Sequence, residues 1–121
     1  MILGTGIDII EIERVKKAID RWADNFLNHV FLKEEIEYAQ KNKNPIQHLA
    51  ARFAAKEAVF KAIGNDPTIN WKDILILNDD HGTPYCVFKK NGFKHKILIS
   101  LSHTENYAVA SAIVTTDEKR T

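Results

Sequence analysis

Apolar and polar positions change rhythm several times along the chain, and each change marks an element. Ile2 to Ile10 mixes β-branched residues with Gly4 and Gly6, the pattern of a strand that lets another backbone come close, with the extended run ending at Asp8. From Glu11 the spacing turns helical, because Val15, Ile19, Trp22 and Phe26 recur at steps of three and four. Phe31 to Tyr38 carries its carboxylates early, where a helix N-terminus favours them, and Asn42 to Pro45 punctuates the chain after this short helix. Ile46, Leu49, Ala50, Phe53 and Phe60 then form one stripe at a period of about 3.6 residues, so Ile46 to Ile63 is the longest predicted helix and Gly64 its stop.

Beyond Asn65-Asp66-Pro67 the pattern becomes that of strands. Ile74 to Leu77, a turn at Asp79 to Gly82, and Tyr85 to Phe88 predict a hairpin. Asn91-Gly92 predicts a second turn, followed by strands over Lys96 to Ser102 and Tyr107 to Val114 with a polar turn at His103 to Asn106; the last residues are expected to fray. Helices gathered in the first half and antiparallel strands in the second predict an α+β fold, a single domain over residues 1–121, with the first strand joining the sheet or lying beside it.

Composition narrows the function classes. The 121 residues are 45% hydrophobic and 27% charged, enough to bury a core without disulfides or a structural metal. A formal charge of +1 disfavours a nucleic-acid-coating role. No apolar stretch approaches the ~20 residues that span a bilayer, and the N-terminus lacks the basic flank of a signal peptide, so a cytoplasmic, full-length chain without membrane partners is expected. The lone Cys86 lies in an apolar run and reads as a structural thiol in a reducing compartment.

Two carboxylates fall where core is expected. With 100° per residue from Ile46, Glu57 lands at about 20°, inside the apolar stripe of the long helix. Asp8 shares a strand face with Ile2, Gly4 and Gly6, a face with little bulk to keep a helix away. One account pairs Glu57 with Lys61 a turn later and has Asp8 cap the following helix. The other has Asp8 and Glu57 hold a hard divalent cation, magnesium better than zinc, with Arg52, Lys56 and Lys61 completing an anion site suited to a polyphosphate. His29, His48, His81 and His95 show no zinc-ligand spacing with Cys86, His103 in its turn says little alone, and neither a Walker-type phosphate loop nor a dinucleotide fingerprint is present.

Taken together, Gly4-Thr5-Gly6-Ile7-Asp8-Ile9 with Arg14, Arg52-Phe53-Ala54-Ala55-Lys56-Glu57-Ala58 with Lys61, the Gly82-Thr83-Pro84-Tyr85 turn and Ser100-Leu101-Ser102-His103-Thr104 resemble the holo-[acyl-carrier-protein] synthases, the short type of 4'-phosphopantetheinyl transferase. The resemblance runs from Met1 to about Val114. It implies magnesium-dependent transfer of phosphopantetheine from coenzyme A to a serine of apo acyl carrier protein, in support of fatty acid biosynthesis, with release of adenosine 3',5'-bisphosphate. By match, Asp8 and Glu57 bind the metal, which with Lys61 makes the catalytic set. Lys61 also meets the coenzyme A phosphates, Arg52, His103 and Thr104 lie near the 3'-phosphate, and Gly82 to Pro84 lie against the adenine. Arg14 and Arg21 face the acidic carrier protein. The resemblance further implies a homotrimer with active sites at subunit interfaces. Phe60 and Thr83 depart from the family pattern, the first replacing a small polar residue and the second a basic one. Two other classes remain open at this level: a module that binds the same ligands without turning them over, and a structural subunit whose sheet edge assembles with partners.

Overall fold

Strand-forming residues at both ends of the chain meet in one sheet, and the helices between them fill its inner side. The computed structural model describes residues 1–90 and 92–116. In chain order they form β1 (Ile2–Glu11), α1 (Ile12–Trp22), α2 (Asp24–Val30), α3 (Lys33–Gln40), α4 (Pro45–Ala62), β2 (Ile74–Asn78), β3 (Pro84–Phe88), β4 (Lys96–His103) and β5 (Tyr107–Thr115), with a 3-10 turn at Trp71–Asp73. An antiparallel sheet runs in the order β1-β5-β4, and β2 pairs with β3 as a separate hairpin. The α+β expectation therefore holds, and β1 joins the sheet by pairing along its length with β5.

Small side chains decide how closely α4 settles on this sheet. The inward face of β5 presents Ala108, Ala110 and Ala112, each fully buried, and β1 presents Gly4 and Gly6 beside them. Carbonyls of Ala58 and Ala62 on α4 lie where Cβ atoms of Gly6 and Gly4 would project, so the helix backbone rests on the strand backbone. Ala54, Ala55, Ala58 and Val59 of α4 then close the core against Ile74 and Ile76 of β2.

Four details differ from the sequence-based expectations. β1 continues to Glu11, opposite Tyr107, so Asp8 lies within the strand and not at its end. The expected single helix after Glu11 is two, broken at Ala23, whose φ of 46° turns the chain and brings Phe26 against Phe31 and Phe53 at ring separations of 6.0 and 6.2 Å. No single apolar stripe exists on α4: sheet, hairpin and helices surround it, and Arg52 and Lys56 are among its buried residues while Glu57 is half-buried. At the C-terminal end the pairing extends through Thr115, and the Thr116 N–H donates to the Met1 carbonyl at 2.9 Å. Asn91 of the expected second turn and the expected fraying of the last residues, 117–121, lie outside the described residues.

Replacing Gly6 by Ala drives a methyl group into the Ala58 carbonyl, which neither backbone can evade. Gly6→Ala is expected to lower stability by about 3 kcal/mol, read as a shift in the urea unfolding midpoint.

Candidate active site

The close seat of α4 on β1 brings Asp8 and Glu57 together. Asp8 projects inward in line with Gly4 and Gly6, and Glu57 precedes Ala58, whose carbonyl touches the strand. Burial pushes the Glu57 carboxyl above its ordinary range, the Asp8 charge pushes it the same way, and Lys61 opposes both. Lys61 Nζ donates to the Ile7 carbonyl at 2.9 Å and lies 3.4 Å from Asp8 Oδ1. Its salt bridge is therefore with Asp8, and no side-chain bond from Asp8 caps α1, so the account in which Lys61 merely pairs with Glu57 and Asp8 merely caps a helix does not describe this chain.

A recess of about 320 Å³ opens at this pair, walled by Arg14, Val15, Phe26 and Phe53 as well as the two carboxylates. Two half-buried, mutually repelling carboxylates with open space beside them match the donor set of a hard divalent cation that keeps water or phosphate on its other positions. Among the described residues no group of three His, Cys, Asp or Glu gathers as a fuller metal cage. Arg14 and Arg21 are exposed on α1, and seven residues put them two turns apart on one face. Lys17 falls between them at the i+3 position, a third cation that the sequence reading passed over.

Arg52 belongs to a second cluster. It precedes Glu57 by five residues, which turns it about 140° away around α4. Its guanidinium is buried and donates from Nε to the Ile76 carbonyl at 3.1 Å, from Nη1 to the His48 carbonyl at 3.4 Å and from Nη2 to Asn78 Oδ1 at 2.5 Å, while lying 4.4 Å from the centre of the Tyr38 ring. Asn78 Nδ2 donates onward to the Gly82 carbonyl at 3.0 Å. Within that turn Asp79 Oδ1 accepts the N–H groups of His81 and Thr83, both at 2.9 Å, and Gly82 supplies a φ of 83°. Burial lowers the His48 imidazole below its usual value, with the charges of Arg52 and then His103 acting in the same direction. His103 thus stands in the same neighbourhood at the end of β4, and Thr104 follows it, its hydroxyl accepting from Tyr107 N at 3.2 Å. Arg52, Gly82 and Pro84 accordingly gather at the hairpin end, with His103 on the His48 side of Arg52 and Thr104 next to it in the chain, and Arg52 is turned away from Glu57 around α4.

Lys56 does not belong to either cluster, contrary to the expectation that it completes an anion site. It is fully buried, 2.6 Å from Glu35 Oε1, and donates also to the carbonyls of Val30 at 2.8 Å and Trp71 at 3.1 Å. Burial pulls its ammonium pKa down and the Glu35 carboxylate works against that shift. Glu35 in turn accepts from Leu32 N at 2.8 Å and Ile76 N at 2.9 Å, so every polar atom of the pair has a partner. Of the two departures from the family pattern, Phe60 has a local explanation, since it packs edge-on against Trp71 at 5.0 Å, and nothing in the structure explains Thr83. Burial holds the Cys86 thiol protonated, its pKa pushed up to about 12.

Residues 4–112 match the model of the 4'-phosphopantetheinyl transferase superfamily, and the chain belongs to that family. Its curated relatives include the holo-[acyl-carrier-protein] synthases of Thermodesulfovibrio yellowstonii, 46% identical over 95% of this chain and 100% of the relative, and of Protochlamydia amoebophila, 47% identical over 93% and 98%. Among solved structures, the Bacillus anthracis holo-(acyl-carrier-protein) synthase in complex with CoA (3',5'-ADP) aligns with a TM-score of 0.85 at 34% identity, covering 97% of this chain and 99% of that one. The Helicobacter pylori enzyme in complex with coenzyme A aligns at 0.82 and 29% identity, over 92% and 99%. Within the superfamily this chain is an enzyme of the holo-[acyl-carrier-protein] synthase group. Among the described residues no helix is long and apolar enough to cross a membrane.

Removing one partner of the buried pair strands the other as an uncompensated charge. Lys56→Met is expected to cost about 3–5 kcal/mol in urea unfolding, and the double variant Lys56→Met/Glu35→Gln to recover a large part of that loss; equal losses in single and double variants would refute the pairing.

Proposed function

We propose that this chain transfers the 4'-phosphopantetheine group of coenzyme A to a serine of apo acyl carrier protein and releases adenosine 3',5'-bisphosphate, supplying holo carrier protein to fatty acid biosynthesis in the cytoplasm. The observation that carries this reading is the Asp8–Glu57 carboxylate pair beside Lys61, set in a recess rimmed by Arg14.

In the reaction, the serine oxygen forms a bond to the phosphorus that bears pantetheine, and the bond from that phosphorus to the bridging pyrophosphate oxygen breaks. Asp8 and Glu57 would hold magnesium, which supplies charge neutralisation at the pyrophosphate when bound. Lys61 Nζ, already turned toward Asp8, is placed to meet phosphate oxygens with a positive charge. The carboxylate of Glu57 stands within the same recess as an acceptor for the serine proton. Arg14, Lys17 and Arg21 give α1 a basic face for an acidic carrier protein, an attraction that salt should weaken. Arg52, His103 and Thr104 serve the 3'-phosphate of coenzyme A, and the Gly82 to Pro84 turn serves its adenine.

These two sets of residues point apart within one chain, which supports a homotrimer whose neighbouring copies complete each site. The outer sheet face favours such an assembly, because Ile7 and Ile9 are 66% and 63% exposed and Leu3 and Leu98 lie beside them on that face.

With coenzyme A, magnesium and apo carrier protein, the intact mass of the carrier should rise by one phosphopantetheine. A chelator should prevent the gain, and Asp8→Ala or Glu57→Ala should slow it at least ~100-fold. No gain with several carriers would instead favour binding without turnover. In sedimentation the wild type should run as three copies, and Ile9→Arg should yield monomers that have lost transfer activity; a fully active monomer would remove the shared site.

A further inference from the structure

Arg52 is a buried cation without a carboxylate of its own. Among the described residues no Asp or Glu lies within ion-pair distance of it, and the carboxylate of Glu35 is committed to Lys56. Its three hydrogen-bond acceptors, the carbonyls of His48 and Ile76 and the side-chain amide of Asn78, are all neutral, while the Glu35 charge acts on it from beyond ion-pair distance and the Tyr38 ring lies 4.4 Å away. The three acceptors fix the guanidinium plane without cancelling its charge, and they use three of its five N–H groups. Two of the acceptors are backbone oxygens that any sequence would supply. Asn78 is the one whose chemistry depends on the residue chosen, and it is also the one that reaches farther, because its Nδ2 holds the Gly82 carbonyl of the hairpin turn.

An aspartate at position 78 would have the same size and would accept from Arg52 at least as well. It would also neutralise the guanidinium and lose the donor that ties Arg52 to the turn. The amide does the opposite on both counts. It leaves the buried guanidinium positively charged and keeps the arginine and the turn in one rigid frame.

We propose that Asn78 is a positioning residue for coenzyme A: by orienting Arg52 without neutralising it and by tying it to the Gly82 turn, it sets the preference for coenzyme A over its 3'-dephospho form. This inference rests on the reading that Arg52 serves the 3'-phosphate and that the turn serves the adenine. A purely architectural Asn78 would affect both substrates alike, whereas a positioning role affects the one that carries the 3'-phosphate.

The test compares kcat/KM for coenzyme A with kcat/KM for 3'-dephospho-coenzyme A, using the full chain and one apo carrier protein. Asn78→Asp and Asn78→Ala are each expected to lower the ratio of the two values about tenfold, chiefly through KM for coenzyme A, as the loss of one charge-assisted contact implies. Should either variant fold poorly, Asn78→Ser, which retains a short acceptor, is expected to give an intermediate ratio. Arg52→Met separates the two levels of the argument. If it lowers the ratio while the Asn78 variants leave it at the wild-type value, the positioning role is wrong and the reading of Arg52 stands. If Arg52→Met also leaves the ratio unchanged, the assignment of Arg52 to the 3'-phosphate is wrong and the inference falls with it.

Discussion

The ion pair of Lys56 and Glu35 is the interaction on which the rest of the molecule depends. Two opposite charges removed from water gain little net stability, yet each becomes a heavy liability once the other is missing. The pair therefore forces its surroundings into a narrow set of arrangements. Lys56 gathers carbonyls from the end of α2 and from the turn before β2, and Glu35 binds the backbone of β2 itself. The chain of contacts continues from Ile76, whose N–H serves Glu35 and whose carbonyl serves Arg52, to Asn78 and the Gly82 turn. A surface hairpin is thus indexed, bond by bond, to a charge at the centre of the fold.

The same helix carries different chemistry on different sides. Arg52 and Lys56, four residues apart, face the hairpin and α3, whereas Glu57 and Lys61, at the same spacing, face β1. Because α4 is enclosed by packed elements, it cannot rotate to improve one side without disturbing the other. Ordinary amphipathic logic, one wet face and one dry, has no purchase on such a helix.

That geometry explains what the sequence disclosed and what it withheld. The strands, the hairpin at Asp79 to Gly82 and the limits of α4 were legible because alternation, turn residues and helix stops are local signals. Asp8 and Glu57 are legible in the sequence as misplaced carboxylates, although a single apolar stripe is too simple a description of a helix surrounded on several sides. The break at Ala23 left no trace, since alanine ordinarily continues a helix, and the turn at its φ of 46° goes together with contacts of Phe26 to Phe31 and Phe53 that local spacing does not reveal. Lys56 looks like a phosphate contact in the sequence because its partner, Glu35, sits 21 residues earlier in the chain. Asn78 drew no notice, because an asparagine beside a turn is ordinary; only its bond to Arg52, 26 residues away, gives it meaning.

The seam of Gly4, Gly6, Ala58, Ala62 and the alanines of β5 has a thermodynamic character of its own. Glycine and alanine have no rotamers to surrender, so ordering this contact costs backbone entropy alone. It also contains no torsion that could absorb a small error. A leucine-lined interface can shift its side chains and keep its helix roughly in place, but here the distance between helix and strand is fixed by main-chain atoms in contact. Heating or nearby substitution should then leave the backbone spacing beneath Asp8 and Glu57 almost constant until the seam parts altogether, so that the arrangement of this carboxylate pair is expected to fail as an all-or-none event and not by gradual drift.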